Sequence, residues 1–382
     1  MALRSLSGEV SELCIGKPEL NWIAATTPIS DALTELKESG ETYISVWVCS
    51  ADTANGSCVC VGKFCTADVI LFLCREENLA DPFKALQTPV HHILPKGDPI
   101  VRHVHPNSSV LEAIDYILEG TQNLVIPIQK HRINNARKRF VNRQPGCSLY
   151  NGHECCWLTQ EDVVRFLLNS VGTFSPVPTF SIELLNAIDR DIMTITYNKP
   201  ASSALGYFHR AISEQKSVAV VDEENRLIGE ISPLNLAHCH ETAASAIMTL
   251  SAMDLMTYID CGSPPESLVQ LVKGRLEERN LGKMVDLMDE CFRSSMLSSS
   301  SSCSSEEEFM SSRSRGSSRH YAASRCEPIV CSPGSSLMAV MIQALAYRVS
   351  CVWVVEEDHT VVGSVTLEGI LSVFCNVASG KS

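Results

Sequence analysis

Apolar and polar residues alternate along the chain in a pattern that predicts the same short series of elements four times. Four segments carry apolar residues three and four positions apart, as at Leu205, Phe208 and Ile212, and this spacing predicts amphipathic helices. A β-branched, apolar stretch follows each helix and is typical of a buried strand. These stretches are TYISVWV at 42–48, NLVIPI at 123–128, SVAVVD at 217–222 and SCVWVV at 350–355. A shorter strand-like stretch precedes each helix: NWIAA, VRHVH, IMTITY and EPIVC.

Each unit ends in a further strand, a small residue and a second helical pattern. The four endings are GKFCTADVILFL, WLTQEDVVRFL, GEISPLNLAH and GSVTLEGILSVF. The small residue is Cys65, Thr159, Ser232 or Thr366, and the residue three positions later is Asp68, Asp162, Asn235 or Gly369. Thr or Ser followed three residues later by an acid is a capping box, which begins a helix. The repeated unit is therefore strand, helix, strand, strand, helix, and it predicts an α/β fold.

This order of elements resembles the CBS (cystathionine-β-synthase) domain. The clearest matches are VVDEENRLIGEISPLNL at 220–236 and VWVVEEDHTVVGSVTLEGIL at 352–371. The whole chain resembles plant stand-alone four-CBS proteins, which are related to gamma-type regulatory subunits of AMP-activated protein kinases. The resemblance implies that the repeats pair into two Bateman modules, with clefts for adenosine-type ligands between paired repeats.

The repeats divide the chain into predicted segments. The CBS repeats occupy 9–80, 81–172, 181–240 and 326–378, and two other segments, a helical one at 241–292 and a Ser-rich one at 293–325, separate the last two. The Ser-rich segment has too few apolar groups to form a core, so we expect it to be disordered. A basic insertion at 129–154 interrupts the second repeat and is expected to form a long loop.

The resemblance also implies which residues bind a ligand. The acid of the capping pair would accept both ribose hydroxyls, while the small hydroxyl and the helix N-terminus would meet phosphate. Only Thr159 and Asp162 form a complete pair. Asp68, Ser232 and Asn235 belong to partial pairs, because Cys65 lacks a hydroxyl and Asn235 lacks a charge. We therefore expect a nucleotide site at the second repeat, with AMP, ADP, ATP or S-adenosylmethionine as the candidate ligands.

Two basic residues are expected to assist phosphate binding at the second repeat. Arg102 and His103 lie on the short strand before its helix, where the cleft should form.

Composition narrows the classes of protein. The net charge of −13 argues against nucleic acid as a partner, because phosphate repels an acidic surface. No apolar run approaches the roughly 20 residues of a membrane span. Seventeen cysteines without a signal peptide indicate a reducing compartment, the cytoplasm or alternatively the nucleus. Cys58-Val59-Cys60 and Cys155-Cys156 lack the spacing of a structural zinc site, so no metal is predicted.

Two functional hypotheses follow. No nucleophile-elbow, P-loop or HExxH motif is present, and the repeats fill the chain, so an enzyme is not expected. The first hypothesis is a regulatory protein that senses an adenine nucleotide and modulates a protein partner, for which a kinase complex is a candidate. The second is an interaction scaffold whose clefts bind no ligand, which the residues lost from three of the four capping pairs favour. A homodimer is compatible with either hypothesis.

The Ser-rich segment is predicted to be a phosphorylated tether. Ser304 and Ser305 precede an acidic run, and Ser318 follows Arg313 and Arg315. Phosphorylation at any of these serines would add a charge of roughly −2. Mass spectrometry of the chain purified from its own cells should find phosphate on at least one of them. An unmodified segment would contradict a regulatory role for it.

Overall fold

The computed structural model describes residues 6–49, 58–95, 101–128, 154–260, 264–299 and 326–380. Repeat 1 and its lead-in contain α1 (Val10–Leu13), β1 (Trp22–Ala24), α2 (Ile29–Ser39), β2 (Ile44–Cys49), β3 (Cys58–Phe64) and α3 (Thr66–Leu73). Two short helices follow, α4 (Glu76–Ala80) and α5 (Pro82–Leu86). Repeat 2 contains β4 (Val101–His103), α6 (Val110–Leu118), β5 (Asn123–Ile128), β6 (Glu154–Thr159) and α7 (Gln160–Asn169).

The second half of the chain repeats this order. Repeat 3 contains β7 (Met193–Thr196), α8 (Leu205–Glu214), β8 (Val218–Val221), β9 (Leu227–Ile231) and α9 (Pro233–Ala237). The insertion contains α10 (Ala243–Thr249), α11 (Ala252–Asp260), α12 (Glu266–Glu278) and α13 (Gly282–Ser299). Repeat 4 contains β10 (Val330–Cys331), α14 (Leu337–Tyr347), β11 (Cys351–Val355), β12 (Val361–Thr366) and α15 (Leu367–Ala378). Single 3₁₀ turns lie at Val90–His92, Val171–Phe174, Val177–Thr179 and Ala201–Ala204.

The strand and helix order predicted from the sequence is confirmed in all four repeats. In each repeat the first strand pairs parallel to the second, and the second pairs antiparallel to the third. The helix between the first two strands is the crossover that a parallel pair needs. It begins at the predicted capping serine in repeat 2, where the Ser109 hydroxyl accepts a hydrogen bond from the Glu112 N–H at 3.1 Å.

Repeats pair through their sheets into the two modules that the resemblance implied. Apolar residues of β2 and β3 pack on those of β4, β5 and β6, with Trp47 and Val125 at the centre of the contact. In the second module Trp353 and Val361 of repeat 4 pack on Ala219 of repeat 3. A three-stranded sheet needs its apolar surfaces packed to be stable, and pairing of the repeats covers one face of each sheet.

The two modules pack against each other through their helices. Repeats 1 and 3 share one apolar core with the insertion, and repeats 2 and 4 share another. In the second core the rings of Phe174 and Phe374 meet edge to face with their centres 4.8 Å apart. The insertion is helical as predicted, but α13 continues to Ser299, past the expected end at 292. Once a helix is nucleated, each further residue adds a hydrogen bond, so composition alone places its end poorly.

Some expectations fall outside the described residues or differ from the structure. The basic loop up to residue 153 and the Ser-rich segment from residue 300 onward are among the residues not described, while Glu154 belongs to β6. Most described cysteines are buried, as expected of small apolar residues. Cys49 and Cys58, however, form a disulfide across the β2–β3 pair, which the expectation of reduced thiols did not include.

In the second module, each third strand is covered by the segment that leads into the partner repeat. Asp189, before repeat 3, exchanges two backbone hydrogen bonds with Ser364 of β12, at 2.8 and 2.9 Å. The carbonyl of Cys326, before repeat 4, accepts from the Glu230 N–H of β9 at 3.0 Å. The lead-in segment can approach the third strand closely because the strand carries glycine at the crossing. A Cβ at Gly363 would lie 2.7 Å from the Asp189 oxygen. In β9 and β12 the glycine of the repeated motif therefore marks where the partner's lead-in crosses.

Replacing Gly363 with alanine should destabilise the chain. The added methyl group would meet backbone, which cannot move as a flexible side chain can, so we expect a cost of about 1–3 kcal/mol. The matched control is Gly274→Ala, since Gly274 lies inside α12 with nothing within 4 Å of the new Cβ. That control should stabilise the chain by up to about 1 kcal/mol, because alanine favours a helix over glycine. Urea unfolding midpoints measure both, and a neutral Gly363→Ala would contradict the close approach.

Candidate functional site

A cavity of about 840 Å³ lies where the four repeats meet. Its wall includes the end of a third strand or the start of the final helix from every repeat, represented by Asp68, Thr159, Ser232 and Leu367. We call this space the central cavity. The four capping motifs that the sequence placed far apart are thus gathered around one space.

All four motifs begin a helix as the capping interpretation predicts. The Asp162 carboxylate accepts from the Thr159 N–H at 2.8 Å, and the Thr159 hydroxyl accepts from the Asp162 N–H at 3.3 Å. Asn235 accepts from the Ser232 N–H at 2.6 Å in the same arrangement. Asparagine can therefore replace aspartate in this cap without changing its geometry. In the fourth repeat, Thr366 alone forms the cap by accepting from the Gly369 N–H at 3.0 Å.

The carboxylate of the complete pair already binds a cation of the chain itself. Lys17, from the lead-in to repeat 1, forms an ion pair with Asp162 and donates to the Trp157 carbonyl at 2.9 Å. The Asp162 side chain is only 16% exposed. Thr159 lines the central cavity, whereas Asp162 is not among the residues that line it. An ammonium group thus contacts the carboxylate that we expected to hold a ribose.

Asp68 of repeat 1 is in a different position. It lines the central cavity, and its carboxylate accepts from the Cys65 N–H at 3.0 Å and from the Cys65 thiol at 3.2 Å. Lys63 lines the same cavity, with its ammonium 4.8 Å from the centre of the Tyr43 ring. Among the described residues no carboxylate lies within ion-pair distance of that ammonium. Burial raises the pKa of Asp68 and lowers the pKa of Lys63.

Glu230 is a buried acid that sequence reasoning missed. It is 4% exposed, lies on β9 beside the cavity, and accepts a hydrogen bond from the Trp353 Nε1–H at 2.7 Å. Burial raises its pKa to about 7. Its signal in the sequence is a charged residue in the third strand, directly after the motif glycine. The partner Trp353 comes from repeat 4, so only the tertiary structure pairs them.

Arg348 is a second cavity residue that the sequence analysis did not identify. It ends α14 with φ at +55° and lines the central cavity. The corresponding residues after the helices of repeats 1 and 2 are Gly40 and Gly120, both with positive φ. Repeat 3 has Gln215 with φ at +53° at this position, so repeats 3 and 4 both place a side chain where the left-handed backbone favours glycine. Aligning the four helix ends in the sequence would have revealed it.

The remaining predicted residues lie elsewhere. Arg102 pairs with Glu119 at 2.9 Å and stacks on Tyr116, and it does not line the cavity. His103 packs edge-on against Trp47, between the sheets of the first module, and its Nε2 accepts from the Cys60 N–H at 3.0 Å. Their contact with phosphate therefore stays a prediction from the resemblance. Ser304, Ser305 and Ser318 lie outside the described residues.

Acids outnumber bases among the charged residues of the cavity wall. The two cations are Lys63 and Arg348. The four acids are Asp68, Glu161, Glu230 and Glu327. Such a wall can bind a ligand with one or two negative charges, but it opposes a ligand with several.

This fold and this cavity define a class: a chain of four tandem CBS repeats, built as two modules around a shared central space. A family model described as "CBS domain" matches residues 321–376. Over its whole length the chain resembles the CBS domain-containing protein CBSX5 of Arabidopsis thaliana, with 44% identity over 98% of each sequence. The chain belongs to the CBS domain-containing family.

Two more distant similarities are to a plant protein and to an archaeal structure. A "SNF1-related protein kinase regulatory subunit gamma-like PV42b" of Arabidopsis thaliana is 18% identical over 67% of this chain and 78% of that protein. Protein MJ1225 of Methanocaldococcus jannaschii, proposed to be an archaeal homolog of g-AMPK, has a similar structure with a TM-score of 0.55. That match covers 96% of this chain and 99% of the archaeal one at 16% identity, so it shows a shared fold.

None of the helices in the described ranges is both long enough and apolar enough to span a bilayer.

Glu230 should make stability depend on pH. Its folded pKa of about 7 lies above its ordinary 4.5, so the folded chain keeps a proton that the unfolded chain releases. Stability is therefore highest below pH 4.5 for this group and falls by up to about 3 kcal/mol as pH rises to 7. Glu230→Gln, which stays neutral and can still accept from Trp353, should match the wild type at low pH and exceed its stability at pH 8.

The control for this experiment is Trp353→Phe, which keeps the carboxyl group but removes its donor. Its pH dependence should be at least as steep as that of the wild type, because the buried charge has lost a stabilising bond. Unfolding midpoints measured at several pH values for each variant show whether Glu230 causes the pH dependence of stability. Parallel pH curves for wild type and Glu230→Gln would show that Glu230 does not titrate in this range.

Proposed function

We propose that this chain is a non-catalytic regulatory protein that binds an adenosine-type ligand in the central cavity and thereby modulates a partner. The observation that carries the proposal is the arrangement of Asp68 and Lys63. Both line the cavity, and burial makes the charged form of each less favourable. A ligand that offers hydroxyl groups to the carboxylate and an anion to the ammonium would stabilise both charges.

Asp68 replaces Asp162 as the proposed ribose-binding residue. The Asp162 carboxylate already bonds to Lys17 and to its own helix start. Asp68 lines the cavity, and no ion pair to it is found within the described ranges. Arg348, on the same wall but from repeat 4, is the second cation proposed to meet phosphate.

The excess of acids on the wall favours ligands with little negative charge. AMP and S-adenosylmethionine carry fewer negative charges than ATP, and the sulfonium of S-adenosylmethionine is itself a cation. We therefore propose that the chain binds AMP or S-adenosylmethionine more tightly than ATP. A kinase complex is the proposed partner, by analogy with the gamma-like regulatory subunit that the chain resembles.

Calorimetry with AMP, ADP, ATP and S-adenosylmethionine tests the ligand and the residue together. Asp68→Asn should weaken binding about tenfold, because charge-assisted hydrogen bonds to ribose become neutral ones. The variant should still fold, since Asn235 forms the same cap in repeat 3. Asp162→Asn is the matched control and should leave the affinity unchanged.

The outcomes distinguish a ligand bound by Asp68, a ligand bound by Asp162 and a ligand bound by neither acid. Loss of affinity in Asp162→Asn, with Asp68→Asn unaffected, would return the site to repeat 2. A gain of a second binding event in Lys17→Ala would show that Lys17 blocks that cleft. Equal affinity in all these variants would contradict ribose binding by either acid.

The interaction scaffold is the second candidate function, and Lys17 favours it. The chain neutralises its one complete binding pair with its own side chain, and Gly369 removes the acid from repeat 4. The scaffold hypothesis is favoured if none of the four ligands raises the melting temperature of the full chain. A ligand at 100 times its dissociation constant should stabilise a binding protein by about 2.7 kcal/mol, which such a measurement detects.

A further inference from the structure

Three side chains with metal-binding atoms meet at the junction between repeat 3 and the insertion. His240 and Glu241 follow α9, and Cys291 lies on α13. One ligand atom from each lies within 4.8 Å of the other two. Glu241 is buried, while His240 and Cys291 are half-buried. We call these residues the junction cluster.

The types of atom in the junction cluster are those that Zn²⁺ binds. Imidazole nitrogen, thiolate sulfur and carboxylate oxygen all occur as zinc ligands, whereas Ca²⁺ and Mg²⁺ require oxygen atoms almost throughout. Zinc bonds of about 2.0–2.3 Å allow three ligands to converge from the spacing observed here with small side-chain movements. Three protein ligands leave a fourth position for water. Neighbours in sequence supply two ligands, and a distant helix supplies the third.

A cation already occupies one side of the junction cluster. The Lys37 ammonium of α2 lies 3.3 Å from His240 Nε2, and 3.3 and 3.4 Å from the two Glu241 oxygens. The Glu241 side chain is 8% exposed, whereas the Lys37 side chain is 53% exposed. A buried carboxylate is therefore neutralised by an ammonium group that can move into water at little cost. A doubly charged metal ion bonded to three ligands would compete with it effectively.

We propose that His240, Glu241 and Cys291 bind Zn²⁺, which displaces the Lys37 ammonium. The metal would tie α13 to the end of repeat 3, at the apolar core that repeats 1 and 3 share with the insertion. This site is independent of the central cavity and of any ligand there. The sequence did not indicate this metal site, because Cys291 lies 50 residues after Glu241. The closely spaced cysteines at 58 and 60 and at 155 and 156 do not belong to it.

Cobalt titration of the full, reduced chain tests this site in the presence of many other thiols. Co²⁺ bound to a thiolate gives a charge-transfer absorption band that Zn²⁺ abolishes when it displaces Co²⁺. Cys291→Ser should remove the band, and His240→Ala should weaken Co²⁺ binding about tenfold or more. Cys375→Ser is the matched control, because Cys375 is also half-buried but lies on α15, where it contacts Asp115. It should leave the band and the affinity unchanged.

Lys37→Met supplies a test in the opposite direction. It removes the competing ammonium and should tighten Co²⁺ and Zn²⁺ binding, whereas damage to folding could only weaken it. The proposal is overturned if Cys291→Ser keeps the band, if Cys375→Ser removes it, or if Lys37→Met does not increase the affinity. It is likewise overturned if the wild-type chain shows no thiolate band with Co²⁺.

Discussion

Assembly of the second module requires the segment that leads into each repeat to cross closely over the third strand of its partner. Backbone from before repeat 3 bonds to β12 of repeat 4, and backbone from before repeat 4 bonds to β9 of repeat 3. Glycine at positions 229 and 363 makes room for these crossings. Because repeats 3 and 4 each receive a backbone segment from the other, neither forms all of its observed contacts alone.

This exchange also determines which capping motifs are available to a ligand. The final helices of all four repeats point their first turns toward one space, because the modules pack through those helices. At the same time, the lead-in to repeat 1 carries Lys17 onto Asp162 of repeat 2. The lead-in that crosses repeat 2 therefore neutralises the one complete capping pair, whereas Asp68 of repeat 1 lines the cavity.

Buried charge is concentrated where repeats or modules meet. Glu230 bonds to Trp353 across the second module, and Glu241 meets Lys37 beside the insertion. Each acid lies on a different repeat or segment from the group that bonds to it. Burial of such groups costs free energy, so their stabilisation depends on correct assembly of the four repeats. Protonation, or a metal ion in place of Lys37, would act on these contacts directly.

The order of the repeated elements follows from local patterns in the sequence. Strand β5 occupies the predicted residues 123–128, and the crossover helices begin within the predicted segments, because periodicity and capping are local properties. Which acids face the cavity depends instead on contacts between distant parts of the chain. Lys17 and Asp162 are 145 residues apart, and Arg348 reaches the wall only because two modules meet, so no local pattern could place them. Electrostatic contacts between distant segments are fixed by packing, and packing is decided by the whole chain.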